Sequence, residues 1–381
     1  MKEDVISVNN KPTVVSMFSG CGGFDLGLKN VGYNILWAND IDKDCVVTYK
    51  KNIGEIITGD VREIEVPEFN NVDLLVAGFP CQPFSNAGSR LGLDDDRGNL
   101  YKEPFRFIKK LQPKAIVFEN VRGLLSFKSR DGKSKFIDEL EKDIRSLGYY
   151  PSYRLLNFSH FGVPQNRIRV VLIAIKDEKY LNHVFPEVVI GKDLSILKTL
   201  DGLKDNVPNQ TEIMKLNPQA LYYGSLIKEG GSWKDIPYDQ LPERWKKIRD
   251  NMPRYHYPKF FRRYGRNDIS GTITAAFKPE NAAVFHPIED RIFSVREVAR
   301  IQTFPDDFIF EGSSIKSKYK QIGNAVPPLI AEMIGKQLLN YFNEVDILSI
   351  KREYIESDKL NVNKPILLKN LTLFEQHGIF V

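Results

Sequence analysis

Thr13-Val14-Val15-Ser16-Met17-Phe18-Ser19-Gly20-Cys21-Gly22-Gly23-Phe24 is the stretch that decides the fold of this chain. Its first six residues form an apolar run that is typical of a buried strand, and a helix is predicted from about Phe24 to Asn30. Glycines at the turn between them let the backbone approach a ligand closely, and a helix N-terminus favours an anionic or polar group. The stretch therefore predicts a ligand-binding turn between a first strand and a first helix.

The same alternation of short apolar strands and amphipathic helices continues through the first half of the chain. Further strands are predicted over residues 33–38, 56–57, 72–77, 115–118, 153–157 and 168–175, and helices over residues 42–51, 101–111 and 134–147. The strand at 115–118 is expected to end at Glu119. Strand–helix alternation of this kind predicts an α/β fold with a mostly parallel, doubly wound sheet.

The regular pattern stops near Asp177, and residues up to about Arg291 are irregular, with scattered proline and glycine. A structureless loop of that length is implausible inside a domain, so we expect a second, smaller domain there. Helical periodicity returns over residues 295–302 and 329–342. We expect a discontinuous large domain of residues 1–185 and 315–381, with the smaller domain over residues 186–314.

Composition excludes several classes of protein. The chain has 381 residues, 42% apolar residues and a formal net charge of +5, which are values of an ordinary globular protein. It has no apolar run long enough to span a membrane, and the N-terminal residues are acidic where a signal peptide would be basic and then apolar. Three widely spaced cysteines and five scattered histidines favour neither disulfides nor a metal site. We therefore expect a reduced, cytoplasmic protein without a metal.

Basic and aromatic residues alternate between Arg244 and Arg266, with Asp250 the one acidic residue among them. Cationic side chains neutralise phosphates, and aromatic rings offer faces for base stacking. The alternative is a solvated basic face with a few core aromatics. If the segment binds nucleic acid, guanine edges or phosphates would be contacted by four arginines, namely Arg254, Arg262, Arg263 and Arg266.

Reactive side chains follow the strands of the predicted sheet. Cys81 lies in the segment Gly78–Ser85 (GFPCQPFS), on a loop after a strand, where open α/β sheets hold their ligands. Glu119 follows the next strand, and Arg167 and Arg169 lie at the start of another, so all four are expected at one sheet edge. Read singly, the cysteine could be a packing residue and the glutamate a cap or ion-pair partner.

Two acidic residues follow the second and third strands. Asp40 follows Gly23 at about the sequence separation at which an acidic residue binds ribose hydroxyls in nucleotide-binding folds. Asp60 could accept a hydrogen bond from an adenine amino group. The glycine spacing is not the GxGxxG of pyrophosphate binders. The pattern therefore favours a nucleoside-containing cofactor without phosphates over NAD.

Taken together, these motifs resemble those of the DNA (cytosine-5) methyltransferases. The family's order is present: FSGCGG, Asp40, GDV, GFPCQPFS, ENV, QNRIR, and then RIFSVREVARIQTFPDDF and QIGNAVPP. The resemblance implies a Rossmann-like S-adenosylmethionine-dependent methyltransferase fold, with the irregular segment as an inserted target-recognition domain that Thr272-Ile273 closes. It also implies the residues that hold S-adenosylmethionine: Phe18, Gly20, Cys21, Gly22, Gly23, Asp40, Ile41, Asp60, Val61, Phe79, Pro80, Asn324 and Ala325.

The resemblance further implies a covalent mechanism on a cytosine flipped out of the duplex. The Cys81 thiolate would attack C6, which makes C5 nucleophilic toward the methyl group of S-adenosylmethionine. Glu119 would protonate or hydrogen-bond N3. Arg167 would contact the base O2 and orient Cys81 and Glu119, while Arg169 would support Glu119 or a phosphate.

Glycines between Ser85 and Asn99 suit a loop that closes over the flipped base. Some relatives carry a small polar residue where this chain has Ala87, so the gap left by the base would be filled from elsewhere. Asn86, Arg90 or the recognition domain are the candidates, and Ser85, Asn86, Arg90 and Thr272 are expected to contact DNA.

The favoured interpretation is a monomeric, sequence-specific modification enzyme that acts on duplex DNA in a restriction–modification system, with any cognate endonuclease encoded separately. A tRNA methyltransferase is the alternative with the same chemistry, but that branch has little sequence between QNRIR and the FSVREVARIQTFP-like motif, whereas this chain has a long insertion there. A catalytically dead DNA-binding module is the other alternative, and the presence of Cys81, Glu119 and Arg167 argues against it.

Overall fold

The computed structural model describes residues 11–80, 100–129, 132–251, 261–275 and 284–343. Within these ranges the strands are, in chain order, β1 (Thr13–Met17), β2 (Asn34–Asp40), β3 (Ile57–Thr58), β4 (Leu74–Ala77), β5 (Ala115–Val121), β6 (Tyr150–Asn157), β7 (Gln165–Asn166), β8 (Ile168–Ile175), β9 (Arg262–Arg263), β10 (Ser270–Gly271) and β11 (Val284–Phe285).

The helices of the described ranges alternate with the strands in the first half and dominate the second. They are, in chain order, α1 (Gly23–Asn30), α2 (Lys43–Asn52), α3 (Lys102–Leu111), α4 (Phe136–Ser146), α5 (Ile196–Leu200), α6 (Pro218–Ser225), α7 (Glu243–Asn251), α8 (Val295–Ile301), α9 (Ile315–Asn324) and α10 (Pro328–Phe342). None of these helices is long and apolar enough to cross a membrane.

One sheet organises the described residues, with its seven strands in the order β3-β2-β1-β4-β5-β8-β6. All neighbouring pairs are parallel except those of β8, which runs antiparallel to both β5 and β6. The prediction of a mostly parallel sheet is confirmed. Because β8 runs against β5, its first residues lie at the edge where β1 to β5 end, and this edge is called the carboxyl edge below.

Strand β5 is longer than its sequence pattern indicated. The predicted strand covered residues 115–118 and ended at Glu119, but pairing with β8 includes Glu119–Val171 and continues through Asn120–Val170 and Val121–Arg169. The prediction failed because an antiparallel neighbour keeps hydrogen-bonding polar residues that have no apolar signal of their own. The consequence is that Glu119 lies on a rigid strand and not on a loop.

Helices cover both faces of the sheet, which is the doubly wound arrangement that the alternation predicts. On one face Phe107 of α3 and Leu140 of α4 pack on Val15 and Leu75. On the other face Leu28 of α1 and the apolar side of α10 pack on the alternate strand residues. The sheet core is thus closed from both sides, and the carboxyl edge is left to present polar groups.

The irregular segment has a core of its own, in which Trp233, Trp245, Phe261 and Phe285 pack together. Residues Phe293–Phe310, which we assigned to the smaller domain, instead share a cluster with α2 and the glycine turn. The two-domain division stays a prediction, and this packing favours a boundary before Phe293.

Candidate active site

The glycine turn after β1 has a backbone that only permissive residues adopt easily. Phe18, Gly20 and Gly22 have φ values of 56°, 57° and 92°. A Cβ added to Gly20 would meet no described atom within 4 Å, whereas one added to Gly22 would lie 2.9 Å from the Tyr49 ring. The turn therefore leaves open space above Gly20 while it packs tightly on α2 at Gly22.

Asp40 is joined to this turn by a hydrogen bond. Its Oδ2 accepts a hydrogen bond from the Gly20 N–H at 2.7 Å, and its Oδ1 accepts from the Asp42 N–H at 2.8 Å. Burial raises the pKa of Asp40, although the two backbone hydrogen bonds oppose that effect. Each oxygen keeps a lone pair that a ligand hydroxyl could use. The neighbouring Ile41 side chain is 66% exposed and offers an apolar surface beside the carboxylate.

Asp60 is already engaged by a neighbouring cation. The Arg62 guanidinium pairs with both of its oxygens at 2.5–3.0 Å and holds the pKa of Asp60 below its usual value. Val61 and Phe79 are buried in the sheet core, so they could contact a ligand only through backbone atoms. The adenine contact of Asp60 stays a prediction.

The last motif returns to the glycine turn, as expected for a discontinuous domain. Ala325 follows α9, and a Cβ added to Gly23 would lie 3.2 Å from the Ala325 Cβ and 2.3 Å from the Val326 carbonyl oxygen. Asn324 at the end of α9 is exposed. Gly23 therefore permits the close contact that brings Asn324 and Ala325 to the turn.

Cys21 is a packing residue rather than a reactive thiol. It is 1% exposed, its Sγ lies 3.7 Å from the Gln321 carbonyl oxygen, and burial raises its pKa to about 12. Burial likewise raises the pKa of Cys45. Neither thiol is ionised near neutral pH, so of the three cysteines only Cys81 is left as a candidate nucleophile.

The loop that leads to Cys81 is held against the end of β5. The Asn120 side-chain amide donates to the Phe79 carbonyl oxygen at 3.2 Å, and Asn120 is itself 3% exposed. The Phe79 ring packs edge-on against Phe118 at 5.7 Å. Pro80 follows this anchored residue at the end of the described loop. Cys81, Ser85, Asn86, Arg90 and the rest of the predicted lid to Asn99 lie outside the described residues.

Glu119 and Arg169 form a mostly buried ion pair at the same edge. Arg169 Nε lies 3.1 Å from Glu119 Oε1, and the two side chains are 14% and 13% exposed. The N–H does not point at that oxygen, so within the described part of the chain Glu119 Oε1 accepts no hydrogen bond. The glutamate therefore has an electrostatic partner and a buried acceptor atom in reserve for a ligand.

Arg167 is placed differently from our expectation. Its guanidinium, 2% exposed, donates to the carbonyl oxygens of Ile273, Gly323 and Ala325 at 2.9–3.2 Å. It is Arg169 that lies within ion-pair distance of Glu119. Residues i and i+2 of one continuous strand share a face, but Arg167 lies in the break between β7 and β8, whereas Arg169 lies within β8. The two side chains therefore reach different partners, and the one that pairs with Glu119 is Arg169.

Arg262 and Arg266, two described arginines of the basic segment, have intramolecular partners. Arg262 pairs with Asp268 at 2.8 Å and lies over the Tyr264 ring, and Arg266 makes a bidentate pair with Glu229. Both could exchange these exposed partners for DNA. Arg254 lies outside the described residues.

Arg263 does not fit a DNA contact. It is 4% exposed and its guanidinium donates to the carbonyl oxygens of Gly224, Ile227, His286 and Glu289 and to Asp290. The sequence could not distinguish it from its neighbours, because an arginine that fills a core and an arginine on the surface look alike there. Arg263 holds the irregular segment together.

Two buried polar residues at this edge, Gln165 and Gln302, were missed by the sequence analysis. Gln165 and Gln302 are fully buried and bond each other at 2.6 Å, and Gln165 also accepts from the Ile273 N–H. Thr272, the expected DNA contact, donates from Oγ1 to the Asn166 carbonyl oxygen at 2.7 Å. The motif QNRIR draws attention to Gln165, but the sequence does not indicate that Gln302, which follows the distant helix α8, is its hydrogen-bond partner.

The residues around Gly20 leave room for a cofactor. The open space above Gly20, the anchored Asp40 carboxylate and exposed Ile41 suit a ribose with an attached base, so the residues present fit S-adenosylmethionine. Among the described residues, no cluster of three or more His, Cys, Asp or Glu side chains could hold a metal ion.

Comparisons with known proteins identify the family. A family profile described as C-5 cytosine-specific DNA methylase matches residues 12–340. The chain is 37% identical over 348 residues to the Type II methyltransferase M.NgoFVII of Neisseria gonorrhoeae, covering 89% of each chain. It is 34% identical over 357 residues to the Type II methyltransferase M.Eco47II of Escherichia coli, covering 89% of this chain and 81% of the relative.

Solved structures agree on the fold. The Dnmt2 methyltransferase of S. pombe superposes with a TM-score of 0.62 at 20% identity, covering 87% of this chain and all of that one. The Entamoeba histolytica methyltransferase EhMeth superposes with a TM-score of 0.63 at 18% identity, covering 87% and 99% of the two chains. With the sequence matches, these similarities show that the chain belongs to the C-5 cytosine-specific DNA methylase family and is a DNA (cytosine-5-)-methyltransferase.

Proposed function

We propose that this protein transfers a methyl group from S-adenosylmethionine to C5 of one cytosine in a specific duplex DNA sequence, as the modification enzyme of a restriction–modification system. The observation that carries the proposal is the carboxyl edge itself. There Glu119 keeps a buried acceptor oxygen beside Arg169, and Asn120 holds the loop that leads to Cys81.

Each residue at the edge has a separate task in this proposal. The Cys81 sulfur forms a bond to C6 of the cytosine, and the ring electrons move so that C5 becomes nucleophilic. Glu119 protonates or hydrogen-bonds N3 and so stabilises the charge that develops on the ring. Arg169 keeps the Glu119 carboxylate oriented. A base then removes the C5 proton, and the bond between C6 and Cys81 breaks.

The cofactor is held by the residues at the ends of β1 and β2. Bound S-adenosylmethionine supplies an electrophilic methyl group. The Gly20 turn leaves space for it, Asp40 accepts from hydroxyl groups, and Ile41 offers an apolar surface to a base. Because a stacked cytosine cannot reach this edge, the target base must leave the duplex, at a cost of a few kcal/mol.

The substrate class is supported by the size of the irregular segment. It has its own aromatic core around Trp233 and Trp245, and such a folded unit suits the reading of duplex DNA. The names of the relatives, Type II methyltransferases, favour a role in restriction and modification. We also propose that the protein acts as a monomer, since one chain supplies every residue of the proposed site.

Incubation with labelled S-adenosylmethionine and mixed-sequence duplex DNA tests the proposal directly. We expect 5-methylcytosine in one sequence context, which bisulfite sequencing would identify. Folded protein that leaves intact DNA unlabelled would refute the proposal. A competition between duplex DNA and tRNA decides the substrate class, and preferential methylation of tRNA would contradict the choice of DNA.

A further inference from the structure

Three buried polar side chains meet between the irregular segment and the end of α9. Gln165 and Gln302 are fully buried and Arg167 is 2% exposed. Gln165 lies in β7, Gln302 directly follows α8, and Arg167 directly precedes β8. We call Gln165, Arg167 and Gln302 the polar joint.

On one side the polar joint holds the end of the irregular segment. Gln165 Oε1 accepts from the Ile273 N–H at 2.8 Å, and Arg167 donates to the Ile273 carbonyl oxygen at 2.9 Å. Both backbone polar groups of Ile273 are therefore taken by the joint. The adjacent residues pair in register, with Ser270 opposite Gln165.

On its other side the polar joint holds the turn that reaches the cofactor residues. Gln302 Nε2 donates to the carbonyl oxygens of Ile322 and Ala325 at 2.7 and 3.1 Å. Arg167 Nη2 donates to Gly323 and Ala325 at 3.1 and 3.2 Å. Ala325 is thus held by two members of the joint.

The two sides also touch each other directly. A Cβ added to Gly323 would lie 2.4 Å from the Thr274 carbonyl carbon, so the backbones are in close contact there. The side-chain amides of both glutamines are used: Gln165 Nε2 donates to Gln302 Oε1 at 2.6 Å. Displacing either segment alone would leave buried donors and acceptors unpaired, which is unfavourable for each such group. The two segments therefore move as one body.

We propose that the polar joint couples DNA binding to cofactor binding, and that Gln165, Arg167 and Gln302 are positioning residues for both. The inference rests on the proposed function together with the expectation from the sequence that Thr272 contacts DNA and Ala325 contacts the cofactor. A ligand that orders one segment orders the other through Ile273 and Ala325. Because such coupling is reciprocal, each ligand raises the affinity for the other by the same factor.

The test measures the dissociation constant of S-adenosylhomocysteine by calorimetry, with and without a duplex that the wild type methylates. For the wild type we expect DNA to tighten binding by roughly 5- to 150-fold. For Arg167→Lys and for Gln302→Leu we expect this ratio to fall toward one, because the bonds to Ile273, Gly323 or Ala325 are lost.

Arg296→Lys is the matched control. Arg296 is another buried arginine, which donates to the carbonyl oxygens of Pro208, Pro305 and Phe308 and not to the joint. It should lose comparable thermal stability but keep the coupling ratio. Variants of the joint that keep the wild-type ratio, or a control that loses it equally, would overturn the proposal.

If the variants do not fold, hydrogen exchange on the wild-type protein tests the same proposal. Adding S-adenosylhomocysteine alone should slow exchange of the Ile273 amide, while amides around Trp233 stay unchanged. No change at Ile273 despite bound ligand would overturn the proposal. A wild type that methylates DNA without coupling refutes the joint alone, whereas a wild type that neither binds the ligand nor methylates DNA refutes the proposed function.

Discussion

Gly23→Ala tests whether the contact between the glycine turn and the last motif determines cofactor binding. The new Cβ would lie 2.3 Å from the Val326 carbonyl oxygen, 3.1 Å from the Phe304 ring and 3.2 Å from the Ala325 Cβ. An ordinary contact needs the backbone of Val326 to retreat by about 1 Å, and overpacking of this kind costs about 1–3 kcal/mol. Alanine returns up to about 1 kcal/mol through its higher helix propensity.

We therefore expect Gly23→Ala to lower the free energy of unfolding by about 1–2 kcal/mol. Because Ala325 moves with Val326, we also expect about tenfold weaker binding of S-adenosylhomocysteine, which corresponds to about 1.4 kcal/mol. Urea unfolding and calorimetry measure the two effects. Wild-type values for both quantities would refute the reasoning.

Gly335→Ala is the control, since the three heavy atoms nearest to its new Cβ belong to the side chains of Val31, Leu28 and Tyr33 and not to the backbone. Its new Cβ would lie 2.9 Å from Val31 Cγ2 and 3.0 Å from Leu28 Cδ2, which can repack. Gly335 lies about two helical turns beyond the start of α10. We expect a smaller loss of stability and unchanged ligand affinity.

Three further predictions concern single side chains. Cys81→Ser should retain DNA binding in a gel-shift assay but lose turnover, and turnover above about a hundredth of wild type would contradict the covalent route. Asp25, which is buried and accepts from Ser16 and Tyr49, has its pKa raised to about 6, mainly by burial. As pH rises, the unfolded state loses this proton before the folded state does. The protonated group therefore contributes up to about 3 kcal/mol to the free energy of unfolding below about pH 4. That contribution is lost as the pH rises through about 6. Asp25→Asn should flatten that part of the stability–pH profile, and an unchanged profile from urea unfolding would disprove the assignment. Arg263→Lys should destabilise the protein by about 2–4 kcal/mol because several carbonyl acceptors lose their donor. The dependence of DNA affinity on salt should stay unchanged, and a slope lower by about one would show that Arg263 contacts phosphate after all.

The alternation of apolar runs and amphipathic helices was sufficient to predict the sheet, because each strand carries its own hydrophobic signal. The order of motifs was sufficient to predict the family, since each motif is a local string. The antiparallel course of β8 and the extension of β5 to Val121 were not predictable in this way. Both depend on which strands become neighbours in the sheet, and the polar residues of a strand do not indicate its neighbour.

Helix α9 and the packing of Phe293–Phe310 were missed for a related reason. Helix α9 is polar along much of its length, and only contact with α2 and α8 makes its few apolar residues a buried face. The prediction of a domain boundary relied on loss of periodicity, which marks irregular backbone but not the body on which it packs.

Local sequence by itself determined which chemical groups the motifs of this protein carry: a thiol at Cys81, carboxylates at Asp40 and Glu119, and two arginines at Arg167 and Arg169. Tertiary structure alone decided what those groups do. It paired Arg169 with Glu119, turned Arg167 to the carbonyl oxygens of two distant segments, and buried Arg263 in the irregular segment. The physical reason is that a side chain's charge and hydrogen-bonding capacity are intrinsic, whereas its partners and its exposure to water are properties of the whole packed chain.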